Sequence, residues 1–110
     1  MEFLNKTEIR GVVGTIHVDK VADTETAQIS VMVEDAFRSS SGDAIIECTW
    51  FSIRVWKGKD IADFSRIEKG TKVHITGRWR CRRYVASDGS DRTSYEVVAQ
   101  SLEIVEDLRL

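Results

Sequence analysis

Two short runs in this chain carry side chains suited to holding a flat, anionic ligand. Alternation along 49–56 places Trp50, Ser52, Arg54 and Trp56 on one side, opposite Thr49, Phe51, Ile53 and Val55. Along 72–84 it places Lys72, His74, Thr76, Arg78, Arg80, Arg82 and Tyr84 opposite Val73, Ile75, Gly77, Trp79 and Cys81. The apolar sides make good core, so Trp79, in phase with Val73 and Ile75, is expected inside. A side composed of Trp, Ser, Arg and Trp makes a poor core. Rings among guanidinium groups present π-faces on which unpaired bases stack at about 1–3 kcal/mol each, whatever their sequence. Arginines neutralise phosphates, with a salt slope of about 0.7 per phosphate on single strands. A duplex hides its base faces, and no run resembles a recognition helix for the major groove. The chemistry indicated is stacking on single-stranded nucleic acid. The competing readings are burial of Trp50 and Trp56 under a loop or partner, cross-strand packing for Tyr84, and a solvated face for the arginines.

The elements that must position these runs are mostly strands, because period-2 alternation dominates. Residues 6–16 read as a first strand, with Gly11 and Gly14 allowing a bend or bulge. The polar stretch 17–27 reads as a loop or hairpin end, and Ile29, Val31 and Val33 mark a second strand. Phe37 to Asp43 reads as a flexible turn, and residues 45–56 form the third strand. Residues 60–69 fit a helix, with Asp60 as N-cap, Ile61, Phe64 and Ile67 at three-residue spacing, and Gly70 at C′. Strands at 71–85 and 92–104 follow, joined by the turn signal Ser87-Asp88-Gly89-Ser90. Five strands with one helix between the third and fourth is the element order of an all-β, five-stranded OB-fold barrel. With 110 residues, no proline, no repeat and no low-complexity run, the chain is expected to be one domain, ordered over about 4–105.

Composition narrows the class. A hydrophobic content of 42% with 31% charge argues against global disorder. No apolar run approaches the roughly 18–20 residues of a membrane-spanning helix. The N-terminus lacks the layout of a signal peptide, so a cytoplasmic location is expected. Net charge is −2, yet residues 54–83 hold ten Lys/Arg against three acids, between two acidic flanks. That local excess is what steers a polyanion. Cys48 and Cys81, 33 positions apart with no His or Cys beside them, fit half-buried reduced thiols rather than a metal site. His17 and His74 have no neighbouring Ser, Cys or carboxylate pattern, and each reads as solvated or a polar contact. No catalytic residue, metal or cofactor is expected.

The same residues resemble a known family. Thr49-Trp50-Phe51-Ser52-Ile53-Arg54-Val55-Trp56-Lys57-Gly58-Lys59 resembles the Thr-Glu-Trp…Phe-Gly-Lys segment of bacterial single-stranded DNA-binding proteins. Glu68-Lys69-Gly70-Thr71-Lys72-Val73-His74-Ile75-Thr76-Gly77 resembles their Lys-Lys-Gly-Ser-x-Val-x-Ile-x-Gly segment. Arg80-Cys81-Arg82-Arg83-Tyr84, with Asp88-Gly89-Ser90-Asp91-Arg92, resembles their basic hairpin, and Glu96-Val97-Val98-Ala99 continues as their last strand. The resemblance covers about residues 4–105. It implies an OB-fold that assembles through its sheets, as a homotetramer or dimer, and wraps single-stranded DNA. It carries the stacking role to Phe37, Trp50, Trp56 and Tyr84, and the basic role to Arg54, Arg80 and Arg82, with less support to Lys6 and Arg10. Phe37 enters by resemblance alone.

Two departures stand out. The 15–28 region lacks the family's Asp-Pro-Glu and Gly-rich turn. The sequence stops at Glu-Asp-Leu-Arg-Leu, where the family usually has a Gly/Pro/Gln-rich linker and an acidic tip; this fits either a native short form or a truncation, and tail-mediated recruitment of enzymes is not expected from these residues. The expected function is protection of single-stranded DNA in replication, recombination or repair. The rivals are a primosome-like OB-fold protein acting through protein contacts, an RNA-binding OB-fold, and a structural protein whose Trp50 and Trp56 form an interface.

Overall fold

Alternation is realised as five long strands: Thr7–Val21 (β1), Thr24–Arg38 (β2), Ala44–Trp56 (β3), Lys72–Val85 (β4) and Asp91–Ile104 (β5). The structure, a computed structural model, describes residues 1–106. The last residues of the C-terminal run noted above lie outside the described residues. The strands close into a barrel in the order β1-β2-β3-β5-β4, with β4 back against β1. All ladders are antiparallel except a short parallel contact at Ile53/Val97 and Arg54/Val98. Inward-pointing Val13, Ile29, Val31, Ile53, Val55, Val73, Ile75, Val97 and Leu102 are fully buried. Burying one such aliphatic side chain contributes about 1.5–3 kcal/mol.

Beyond the closed body, the β2–β3 and β4–β5 ribbons continue as two projecting arms. Almost every side chain in 34–50 and 78–95 is exposed or half-buried; Glu96 begins the buried stretch of β5. The radius of gyration, 16.6 Å, accordingly exceeds the ~13 Å of a compact chain of this length.

The strands overrun the expected boundaries. Residues 17–21 and 24–27 pair with each other up to Val21/Thr24, so the turn is only Ala22-Asp23, with Ala22 at a φ of 55°. Phe37 is likewise in strand, paired with Ile45. The polar composition misled here because residues 17–21 and 34–38 are exposed on both sides of the ribbon, which removes the apolar half of the pattern. The bulge expected near the glycines lies between Val13 and Thr15.

The expected helix at 60–69 is instead an extended loop with one 3-10 turn, Phe64–Arg66. The backbone at Asp60 and Ala62 is taken up by Leu102: Leu102 N–H donates to Asp60 O and Ala62 N–H to Leu102 O, both at 2.9 Å. Asp60 O, which would accept the first i→i−4 bond of a helix starting there, is thus already engaged. The three-residue spacing still does its work, since Phe64 and Ile67 are buried and plug the barrel. Asp63, not Asp60, is the cap. The Ser65 N–H, and after it the Ser65 hydroxyl, hold the Asp63 carboxyl below the usual carboxylate range. Gly70 does adopt the left-handed backbone, at a φ of 95°.

Candidate nucleic-acid interface

The β3 ladder fixes the outward side of the sheet. Trp50, Ser52, Arg54 and Trp56 lie opposite Met32, Ser30, Gln28 and Thr26 of β2. Arg54 is level with Val98 of β5, and Val98 lies opposite Arg78 of β4. The same side of the β4–β5 ribbon then carries Arg80 opposite Glu96, Arg82 opposite Ser94, and Tyr84 opposite Arg92. Strand spacing is about 4.8 Å, so Arg54 and Arg78 stand on one continuous band of sheet. From there β3 and β4–β5 separate into the two arms. Trp50 leads along one, and Arg82 and Tyr84 along the other.

The rings are open to solvent: Trp50 is 60% exposed, Tyr84 50% and Trp56 43%. Trp50 reaches across β2 and lies over Gly14 of β1. A Cβ built on Gly14 would sit 2.5 Å from the ring's Cζ3 and 3.0 Å from Ser30 Oγ. The flat bed beneath the ring is therefore a property of a glycine 36 positions away. Around it the outward surface is polar and cross-linked. Ser30 Oγ contacts Thr15 Oγ1 at 2.8 Å and accepts the Thr15 N–H at 2.9 Å, and the Gln28 amide donates to Ser52 Oγ. At the far end Lys57 pairs with Glu25 at 3.5 Å beside Trp56.

The arginines differ in their partners. Arg80 is half-buried and binds Glu96, its Nε donating to Oε1 at 3.1 Å with a second contact from Nη2. Nη1 of Arg82 lies 3.8 Å from the same oxygen. Among the described residues, no carboxylate reaches Arg54 or Arg78 within ion-pair distance. At the tip of this arm, Asp88 accepts from the Ser90 hydroxyl at 2.6 Å and its N–H at 2.9 Å, contacts that lower its pKa and shape the turn.

Three comparisons with known proteins decide the lineage. The model of the single-strand binding protein family matches residues 4–105. The chain belongs to the single-strand binding protein family. A single-stranded DNA-binding protein of Neisseria meningitidis serogroup A is 25% identical over 76 residues, 69% of this chain and 44% of the relative. The chain thus matches less than half the length of that relative. Among solved structures, the Plasmodium falciparum single-strand binding protein in complex with single-stranded DNA superposes with a TM-score of 0.77 at 17% identity. That superposition covers 96% of this chain and 98% of the other. A deletion mutant of the Thermus aquaticus protein also gives 0.77, at 20% identity, covering 94% of this chain and 51% of that one. A small single-stranded DNA-binding protein of Streptomyces coelicolor gives 0.68, at 15% identity and 94% and 96% coverage. At these identities the superpositions establish the OB-fold of this family.

Within this family's fold, the expected residues do not all share a side. Trp50, Arg54, Trp56, Arg80, Arg82 and Tyr84 are outward. Phe37, 46% exposed, has the same phase as Ala27, Ile29 and Val31, so it lies on the reverse of the β2–β3 arm. Arg10 is on the opposite wall of the barrel, where its Nε donates to His74 Nδ1 at 3.0 Å, and Lys6 precedes β1. His74 also meets Glu8 through Nε2 at 3.0 Å, so both ring nitrogens are engaged in a polar contact. His17 meets Asp19 at 3.1 Å.

Trp79 is a correction: it is 40% exposed rather than core. Pairing of β4 with β1 stops at Gly77/Thr7, and the barrel opens there. The Asn5 side chain ends the ladder, its Nδ2 donating to Trp79 O at 2.7 Å and its Oδ1 accepting the Trp79 N–H at 3.0 Å. The ring leans on Phe51, with centroids 5.9 Å apart. Cys48 and Cys81 are exposed rather than half-buried, for the same reason: both are on arms. Sequence reading also passed over Glu96, which alternation alone does not mark as a partner for Arg80. Arg78 was legible by phase, and its open guanidinium adds it to the basic band.

Proposed function

We propose that this chain, one OB-fold domain, binds single-stranded DNA without regard to sequence and protects it in replication, recombination or repair. The observation that carries this reading is the pair of exposed tryptophans, Trp50 and Trp56, flanking Arg54 on a sheet face that continues into the arginines of β4. Bases stack on Trp50, Trp56 and Tyr84, while the basic band of Arg54, Arg80 and Arg82 supplies the net positive charge that draws phosphates. Phe37 receives a base where the strand passes round the edge of the β2–β3 arm. The solved Plasmodium relative is described in complex with single-stranded DNA, which supports the same ligand here.

The protein acts as a binding module, not an enzyme, in the bacterial cytoplasm; its family and bacterial relatives support that placement. It assembles with copies of itself, as a dimer or tetramer. The apolar groups left open on the reverse of the β4–β5 arm, Trp79 and Tyr95, support self-association.

The deciding experiment is titration with poly(dT) at micromolar protein in about 50 mM salt, following tryptophan fluorescence. Strong quenching is expected, because stacked bases quench indole. Its absence would sink the stacking reading. Quenching by poly(rU) at lower concentrations than by poly(dT) would instead favour an RNA binder, and light scattering with and without oligo(dT) reports assembly in the same samples.

A further inference from the structure

Glu96 is the most buried charged side chain among the described residues, 7% exposed, and it stands in the middle of the surface just assigned to phosphate. It projects outward from β5, opposite Arg80 in the ladder. One carboxylate oxygen, Oε1, takes both Arg80 contacts and lies 3.8 Å from Arg82. A phosphate oxygen approaching these two guanidinium groups would seek the same position. The two guanidinium groups stand as the cations facing this buried side chain, so the charge of Arg80 is already answered before DNA arrives.

Resting on the single-strand reading above, we propose that Glu96 is a built-in counter-anion that sets how strongly this face draws phosphates and how steeply binding depends on salt. It cancels one arginine and holds the second within reach. It therefore weakens the grip of a surface that would otherwise present Arg54, Arg78, Arg80 and Arg82 all uncompensated, which favours release of DNA.

A purely structural role is separable from this one. Glutamine at 96 keeps an oxygen in the place of Oε1, which takes the Arg80 contacts, removes the charge, and puts an NH2 group only in the place of the second oxygen. The test is oligo(dT) titration of the full chain across a salt series, read as the slope of log affinity against log salt. Glu96→Gln is expected to bind more tightly at low salt, with a slope steeper by about 0.7, the value of one phosphate on a single strand. Arg80→Gln is expected to be shallower by about 0.7, because Glu96 then turns its charge on Arg82. The double variant, which removes both charges, is expected to return to the wild-type slope.

A Glu96→Gln slope equal to or below wild type would overturn the proposal. So would a double variant as shallow as Arg80→Gln alone, which would put Arg80 directly on phosphate with Glu96 uninvolved. If Glu96→Gln fails to fold by circular dichroism, Arg80→Gln and the double variant carry the test together: a shallower slope for the first, restored to wild type in the second, supports the proposal, and any other pair of slopes overturns it. Wild-type protein that does not bind oligo(dT) at all would overturn the parent reading and this one together.

Discussion

The barrel body and the two arms are made from the same strands, yet a side chain's phase means different things in each. In the body, Ile29, Ile53 and Ile75 point inward and are fully buried, while Arg54 and Trp56, one step out of phase, face solvent. In the arms, both sides of the ribbon are wet. Phe37 and Trp79 keep the inward phase and are nonetheless exposed, as are Trp50 and Tyr84 in the outward phase. Burial is thus set by whether the barrel is closed at that level. The arms consequently leave ring surface open on both sides of the ribbon, whereas the body leaves it open only on the outward side.

The largest expected effect tests the body. Ile53→Ala removes a fully buried side chain at the level where β3 meets β5. It should cost about 2–5 kcal/mol of folding stability, seen as a lowered thermal midpoint. Near-wild-type affinity for oligo(dT) is expected wherever the variant remains folded. A stable Ile53→Ala protein with lost binding would reverse the assignment of the two sides of β3.

Next come the outward rings. Trp50→Ala and Trp56→Ala should each weaken oligo(dT) binding by about 1–3 kcal/mol and leave the thermal midpoint nearly unchanged. The reverse pattern, lost stability with retained binding, would make them packing residues and erase the contrast between the sides. The smallest effect comes from beneath the ring. Gly14→Ala forces the Trp50 indole to tilt away from β1, and should weaken binding by less than deletion of the ring does, under about 1 kcal/mol. Circular dichroism and the fluorescence titration together check both. A Gly14→Ala loss as large as that of Trp50→Ala would show that the bed, not the ring, carries the interaction.

Much of the fold and of the site was legible from residue order. The alternation of Thr49–Trp56 gave both the core side and the ring side of β3, and Gly70 and Gly89 marked backbone turns that do take a positive φ. The loop at 60–69 reads as a helix from residue order, because three-residue apolar spacing fits a 3-10 turn and a bridge to Leu102 as well as it fits an α-helix. Phe37 could be ranked only by resemblance, since its neighbours in the arm lack an apolar pattern. Glu96 was hidden because a carboxylate in a strand usually faces water; only the hairpin register sets it opposite Arg80.

By itself the sequence determined the succession of five strands along the chain, the side of the ribbon each side chain takes within the body, and the cluster of arginines and rings in the middle of the chain. Tertiary structure alone decided where the barrel ends, and so why Trp79 is open. It also decided that Trp50 rests on Gly14, that Glu96 answers Arg80, and that His74 bridges Glu8 and Arg10. The physical reason is that alternation encodes the side of a ribbon from which a side chain projects. What covers that side, and which charge stands across from it, depends on strands that meet only when the barrel closes.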